Sequence, residues 1–161
     1  MPILDYEAFA EILPPRGALI GIDPGSVTIG VAASDGTRTI ASPATGIRRA
    51  KMQQDGAAIF AIFKDRSACG LVVGHPLNMD GSKGPSSQSA RAFARNLLAI
   101  HDVPLLMWDE RLSTAAVLRQ MISADMSRAK RAATVDAAAA SYMLQGLLDR
   151  LHSDLSRLYI L

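Results

Sequence analysis

Short apolar runs, each closed by a turn signal or a polar residue, limit most strongly what this chain can fold into. Ala18-Leu19-Ile20-Gly21-Ile22 reads as a strand running into Asp23, and Pro24-Gly25-Ser26 then turns the chain. A second strand is expected from Val27 to Ser34. Asp35-Gly36 is a hairpin signal, which places a third strand at about Thr37 to Ala41. Three consecutive strands joined by tight turns form an antiparallel meander.

Beyond residue 50 the pattern changes. Lys51 to Asp65 carries Ile59, Ile62 and Phe63 at helical spacing, and a helix from about Ser89 to His101 presents Phe93, Leu97 and Ile100. Between and after them, Gly70-Leu71-Val72-Val73-Gly74 and Val103 to Trp108 are strands of the kind buried on both faces. Two more helices are expected, at about Thr114 to Ala124 and from Val135 to Leu151. A short one from Asp5 to Leu13 is stopped by Pro14-Pro15. The expected fold is therefore α/β: a mixed five-stranded sheet, antiparallel in its first three strands and then parallel, flanked by helices. Residues 1–16 read as an N-terminal extension, 17–152 as the domain and 153–161 as a C-terminal tail.

Composition supports an ordered core and narrows the setting. Of the 161 residues, 49% are hydrophobic and 20% charged, enough for one domain with a real interior. A formal charge of +2 permits a nucleic-acid partner without proving one. The single cysteine, Cys69, excludes an internal disulfide and fits a reduced compartment as a small buried hydrophobe. No charged-then-apolar leader opens the chain and no apolar run is long enough to span a bilayer. A soluble, cytoplasmic protein without a membrane partner is expected, as a monomer or weak homodimer.

Three distant carboxylates carry the candidate chemistry. Asp23 ends the first strand, Glu110 follows the last, and Asp136 opens the Ala-rich helix. Brought together, their repulsion demands a cation, and carboxylate oxygens select a hard one such as Mg²⁺ or Mn²⁺. Each residue also has an ordinary reading. Asp23-Pro24-Gly25 is a common turn, although Gly25 and Gly30 would let a phosphate or metal approach the backbone. Asp136 suits the first turn of a helix capped by Thr134. Asp109 and Glu110 cannot point the same way on an extended strand, and Glu110 is favoured for the metal. The Ala137 to Ala140 run would let the last helix press against the sheet and bring Asp136 near Asp23.

Around these acids lie groups suited to a polyanion. The loop from Gly74 to Gly84 offers Asn78 and backbone N–H groups, with Lys83 to neutralise a phosphate; a plain connector has the same composition. His75, where that loop begins, could serve as a general base, but the ordinary strand-end reading is preferred. Arg111 could hold a phosphate or pair with an acid. Arg128, Lys130 and Arg131 stand in a segment just before Asp136, and Arg91 and Arg95 lie on the helix after the loop. With aromatics at 5%, recognition of backbone shape is expected rather than base reading.

Four motifs in order give the chain a specific likeness: Gly21-Ile22-Asp23-Pro24-Gly25, Gly74-x-Pro76-Leu77-Asn78-Met79-Asp80-Gly81, Asp109-Glu110-Arg111-Leu112-Ser113-Thr114, and Val135-Asp136-Ala137-x-Ala139. Over about 17 to 151 it resembles the YqgF/RuvX family of bacterial Holliday-junction-resolvase-like proteins, in the ribonuclease H-like superfamily. The resemblance implies an RNase H-like sheet and a divalent-metal nuclease maturing the 5′ end of pre-16S ribosomal RNA. Asp23, Glu110 and Asp136 become its acidic site by motif. Two metals about 4 Å apart would then serve in-line attack on a phosphodiester, with Asp23 bridging them; with only three acids, a single-metal or substrate-completed site is the alternative. His75, where leucine is more usual, and the extension depart from the pattern. Rival readings are a junction resolvase acting on branched DNA as a dimer, an actin-like ATPase lobe, for which the chain is short, and a non-catalytic RNA-binding module associated with transcription.

Overall fold

The computed structural model describes residues 2–75, 84–109 and 128–160, with backbone alone at 86, 128–134 and 156–160. In chain order the elements are α1 (Tyr6–Ile12), β1 (Ala18–Pro24), β2 (Thr28–Ser34), β3 (Ala41–Arg48), α2 (Met52–Asp65), β4 (Ala68–His75), α3 (Pro85–Ile100), β5 (Leu105–Asp109) and α4 (Arg128–Ile160). The strands form one sheet in the order β3-β2-β1-β4-β5. β1 pairs antiparallel with β2 and β2 with β3, whereas β4 runs parallel to both β1 and β5. The mixed five-stranded sheet expected from the sequence is the one observed.

Alternation along the strands splits the interior into two layers. Ile20 and Ile22 of β1, with Leu71 and Val73 of β4, pack against Ile59, Phe93 and Leu97 from α2 and α3. Leu19 and Val72, on the other face, pack against Ala140, Met143, Leu144 and Leu147 of α4 and against Phe9 of α1. Leu144 is fully buried, so truncation to Ala should cost about 2–5 kcal/mol.

Three boundaries differ from the sequence expectation. The third strand begins at Ala41 rather than Thr37 because Asp35 organises a longer loop. Its Oδ1 accepts from the backbone N–H groups of Thr39 and Ile40 at 2.8 and 3.0 Å, and Thr37 Oγ1 donates to Oδ2. Those hydrogen bonds pull the carboxyl far below its usual range, led by the one from Ile40. The last helix begins at Arg128, not Val135, and runs on to Ile160. α3 starts earlier, with Pro85 in its first turn, where its missing N–H costs nothing. The helix expected over 114–124 lies outside the described residues.

The N-terminal segment belongs to the same body. Leu4 bridges Leu106 in parallel and its N–H donates to Leu105 O at 2.9 Å, which covers part of the outer edge of β5. Asp5 caps α1 by accepting from Ala8 N at 2.8 Å. Phe9 is wholly buried.

Candidate metal centre

Asp23 sits near the carboxyl end of β1 and is only 4% exposed. The pleat puts it on the same face as Leu19 and Gly21, and that face carries α4. A Cβ added at Gly21 would lie 3.0 Å from Leu144 Cβ and 3.3 Å from Ala140 O. Gly30 is the cross-strand partner of Asp23, and a Cβ there would lie 2.0 Å from the backbone oxygen of Asp136. The α4 backbone therefore rests on the hairpin at the residue facing Asp23. Asp136 Oδ2 is 3.6 Å from the position of the Cβ that Gly25 lacks. A buried aspartate of the strand and a half-buried one of the helix therefore border one corner of the fold, around Gly25 and Gly30.

This geometry corrects two expectations. Gly30 makes room for a helix, not for a phosphate. Asp136 stands two turns inside α4 rather than in its first turn, so neither Thr134 capping nor the helix dipole explains an acid there. Arg128, Lys130 and Arg131 likewise lie within α4. Small residues drive the approach: Gly21 and Gly30 on the hairpin meet Ala137 and Ala140 on the helix.

Carboxylates brought close in a partly dry corner would repel each other, and a hard divalent cation would relieve that repulsion. Their oxygen donors fit Mg²⁺ or Mn²⁺. No group of three His, Cys, Asp or Glu side chains gathers among the described residues. Glu110, Asn78, Lys83 and Arg111 lie outside those residues.

Arg49 is a component that sequence reading did not single out. Its guanidinium donates to Gly25 O and its N–H to Val27 O, both at 2.8 Å, and it lies 5.1 Å from the Phe93 ring centre. It ties the Asp23-Pro24-Gly25 turn to α3 from the face opposite α4. Only its place within a run of basic residues at the end of β3 could have hinted at this.

His75 is placed otherwise than its position on the rim suggested. It shares a face with Leu71 and Val73, which is the α3 side, and its Nε2 lies 2.5 Å from Ser87 Oγ in a buried contact. Asp109 is registered beside it on β5 and turns to the same side. The histidine thus looks away from the face that Asp23 shares with α4. Cys69 is half-buried, donates to Ala18 O at 3.4 Å, and burial pushes its thiol pKa up.

Comparison with known proteins adds an independent line. Residues 17–150 match the family model described as RuvX: Holliday junction resolvase. A protein of Rhodospirillum rubrum named "Putative pre-16S rRNA nuclease" is 55% identical over 152 residues, 94% of each chain. One of the same name from Paracoccus denitrificans is 55% identical over 147 residues, 91% of this chain and 93% of its own. Among solved structures, Thermus thermophilus RuvC bound to a Holliday junction superposes with a TM-score of 0.52 at 12% identity, over 86% of this chain and 96% of that one. That likeness concerns the fold.

Proposed function

The chain belongs to the RuvX family, and on that premise we propose that it is a divalent-metal-dependent nuclease that trims precursor 16S ribosomal RNA at its 5′ end. The observation carrying this reading is the packing of the Asp136 backbone on Gly30, the cross-strand partner of Asp23. Asp23, Asp136 and Glu110 would hold the metal, Mg²⁺ or Mn²⁺. Parity supports Glu110 over its neighbour, because Asp109 is turned to the α3 side. Bound divalent ions supply activation of the attacking water and neutralisation of the departing 3′ oxygen.

The protein's own part is positioning. Asp23 is fixed by its pairing with Gly30 of β2, just beyond the last β1–β4 pair at Ile22, and Asp136 by a helix whose backbone cannot come closer. Arg49 secures the turn between them. Gly25, Asn78, Lys83, Arg111 and the Arg128, Lys130 and Arg131 group are proposed to receive the phosphate backbone. Among the described residues no helix is long and apolar enough to cross a membrane, and a cytoplasmic site of action suits this substrate.

The deciding experiment incubates purified protein and its Asp23→Asn variant with labelled precursor 16S RNA and a four-way DNA junction, in Mg²⁺, Mn²⁺ or chelator. Metal-dependent RNA cleavage, lost in the variant, is expected. Cleavage that survives chelator or the substitution would sink the reading, and preference for the junction would move the substrate to branched DNA, as the family description suggests.

A further inference from the structure

We infer that the channel between the N-terminal segment and α3 is a binding track for an unpaired polynucleotide strand, with one nucleotide seated at the outer edge of β5. This deepens the nuclease reading and rests on it for its biological sense. A cleft of about 450 Å³ opens there, walled by Ile3 to Tyr6, by Leu106 to Asp109, and by His75, Arg91 and Arg150. Its size suits a small ligand of nucleotide scale. A second cleft of about 360 Å³ continues along Pro2, Ile3, Arg91, Arg95 and Leu98. The two share Ile3 and Arg91, so they form one path.

The chemistry of the walls selects the occupant. Arg91 and Arg95 stand one helical turn apart on α3 and form no ion pair with a described carboxylate. They present two successive positive charges along the path, as a strand of phosphates requires. Arg150 is laid over the Tyr6 ring at 4.0 Å, which prepositions a flat cation at the larger cleft. Bases stack on such guanidinium planes and on aromatic rings. Trp108 is 6% exposed, and its indole N–H finds no acceptor among the described residues. A buried donor of that kind is costly unless a ligand oxygen or ring nitrogen completes it. Of the two acids on the wall, Asp5 is committed to capping α1, and Asp109 stands at the end of β5. Asp109 immediately precedes Glu110 in the chain. Composition argued against base contacts because aromatics are scarce; the fold gathers two of the few it has, Tyr6 and Trp108, at this cleft.

Trp108 is the chain's sole tryptophan, which makes its emission a local reporter. The full-length protein, in chelator, is titrated with a ten-nucleotide single-stranded RNA and with the same sequence as a blunt duplex. Saturable change in Trp108 emission is expected with the single strand, at least about tenfold tighter than with the duplex. Arg91→Ala together with Arg95→Ala should weaken binding roughly tenfold and lower the salt slope by about one per residue, with an unchanged melting temperature. Silent emission, or variants with the wild-type affinity and salt slope, would overturn the track. Duplex binding as tight as single-strand binding would overturn it too. Asp23→Asn should leave the emission titration intact. A responsive Trp108 in a protein that cleaves nothing would preserve the track and discard the nuclease. Metal-dependent cleavage with a silent Trp108 would do the opposite.

Discussion

β1 and β4 lie side by side, run parallel and end on the same rim of the sheet, yet their last polar residues do opposite things. Asp23 turns toward α4, where the backbone of Asp136 rests on its cross-strand partner Gly30, whereas His75 turns toward α3 and meets Ser87. One residue of pleat parity separates the two outcomes, since Leu71 and Val73 share the face of His75 while Leu19 and Gly21 share that of Asp23. Neighbouring strand ends on one rim therefore need not build one pocket. The helix stacked on each face decides which polar residues meet.

The sharpest way to break this contrast is to substitute both residues. Asp23→Asn should lower metal-dependent RNA cleavage by about a thousandfold or more, several kcal/mol of transition-state stabilisation. His75→Leu should leave cleavage within about tenfold of wild type. It should instead cost about 1–3 kcal/mol of stability in a denaturant melt, because the buried Ser87 hydroxyl loses its partner. Equal losses of turnover in both variants would mean that the two faces are not functionally separate.

Next in size is the contact that seats α4. Gly30→Ala drives a methyl into the Asp136 carbonyl and should cost at least about 1–3 kcal/mol, while weakening Mn²⁺ binding measured by calorimetry. Gly36→Ala is the control, with nothing within 4 Å of the added carbon, and should melt as wild type does. Arg49→Ala probes the same corner from the α3 side. Loss of its hydrogen bond to Gly25 O should raise the Mn²⁺ concentration for half-maximal cleavage roughly tenfold, as supporting partners of a metal ligand do. An unchanged metal requirement would reduce Arg49 to a surface tie.

The smallest effect concerns the α4 face far from the acids. Tyr6 donates to Asp154 Oδ2 at 2.6 Å, and its pKa is pushed up from 10.0 to about 12, first by burial and then by that carboxylate. The folded value exceeds the unfolded one, so this stabilisation is complete below pH 10 and is lost as pH rises toward 12. Half-burial and screening keep it small. Chemical denaturation across that window should show a drop that Tyr6→Phe lacks.

Much of the fold was legible because strand and helix signals are local. Alternation, short runs and turn residues placed β1, β2, β4 and β5 and the meander within a few residues. The third strand slipped because Asp35-Gly36 has the composition of a two-residue turn, while the Asp35 carboxylate in fact holds a loop reaching Ile40. Asp136 was identified, but its setting was misjudged, since the helix continues back to Arg128. Arg49 left almost no trace, because a guanidinium bound to a backbone carbonyl has no sequence pattern.

By itself the sequence determined the order of elements, their periodicities and the acids worth watching, all properties of residues close together in the chain. Only tertiary structure decided that Asp136 would sit over the partner of Asp23 while His75 faced away. That choice depends on glycines and alanines far apart in sequence, whose missing side chains let one helix touch one face of the sheet.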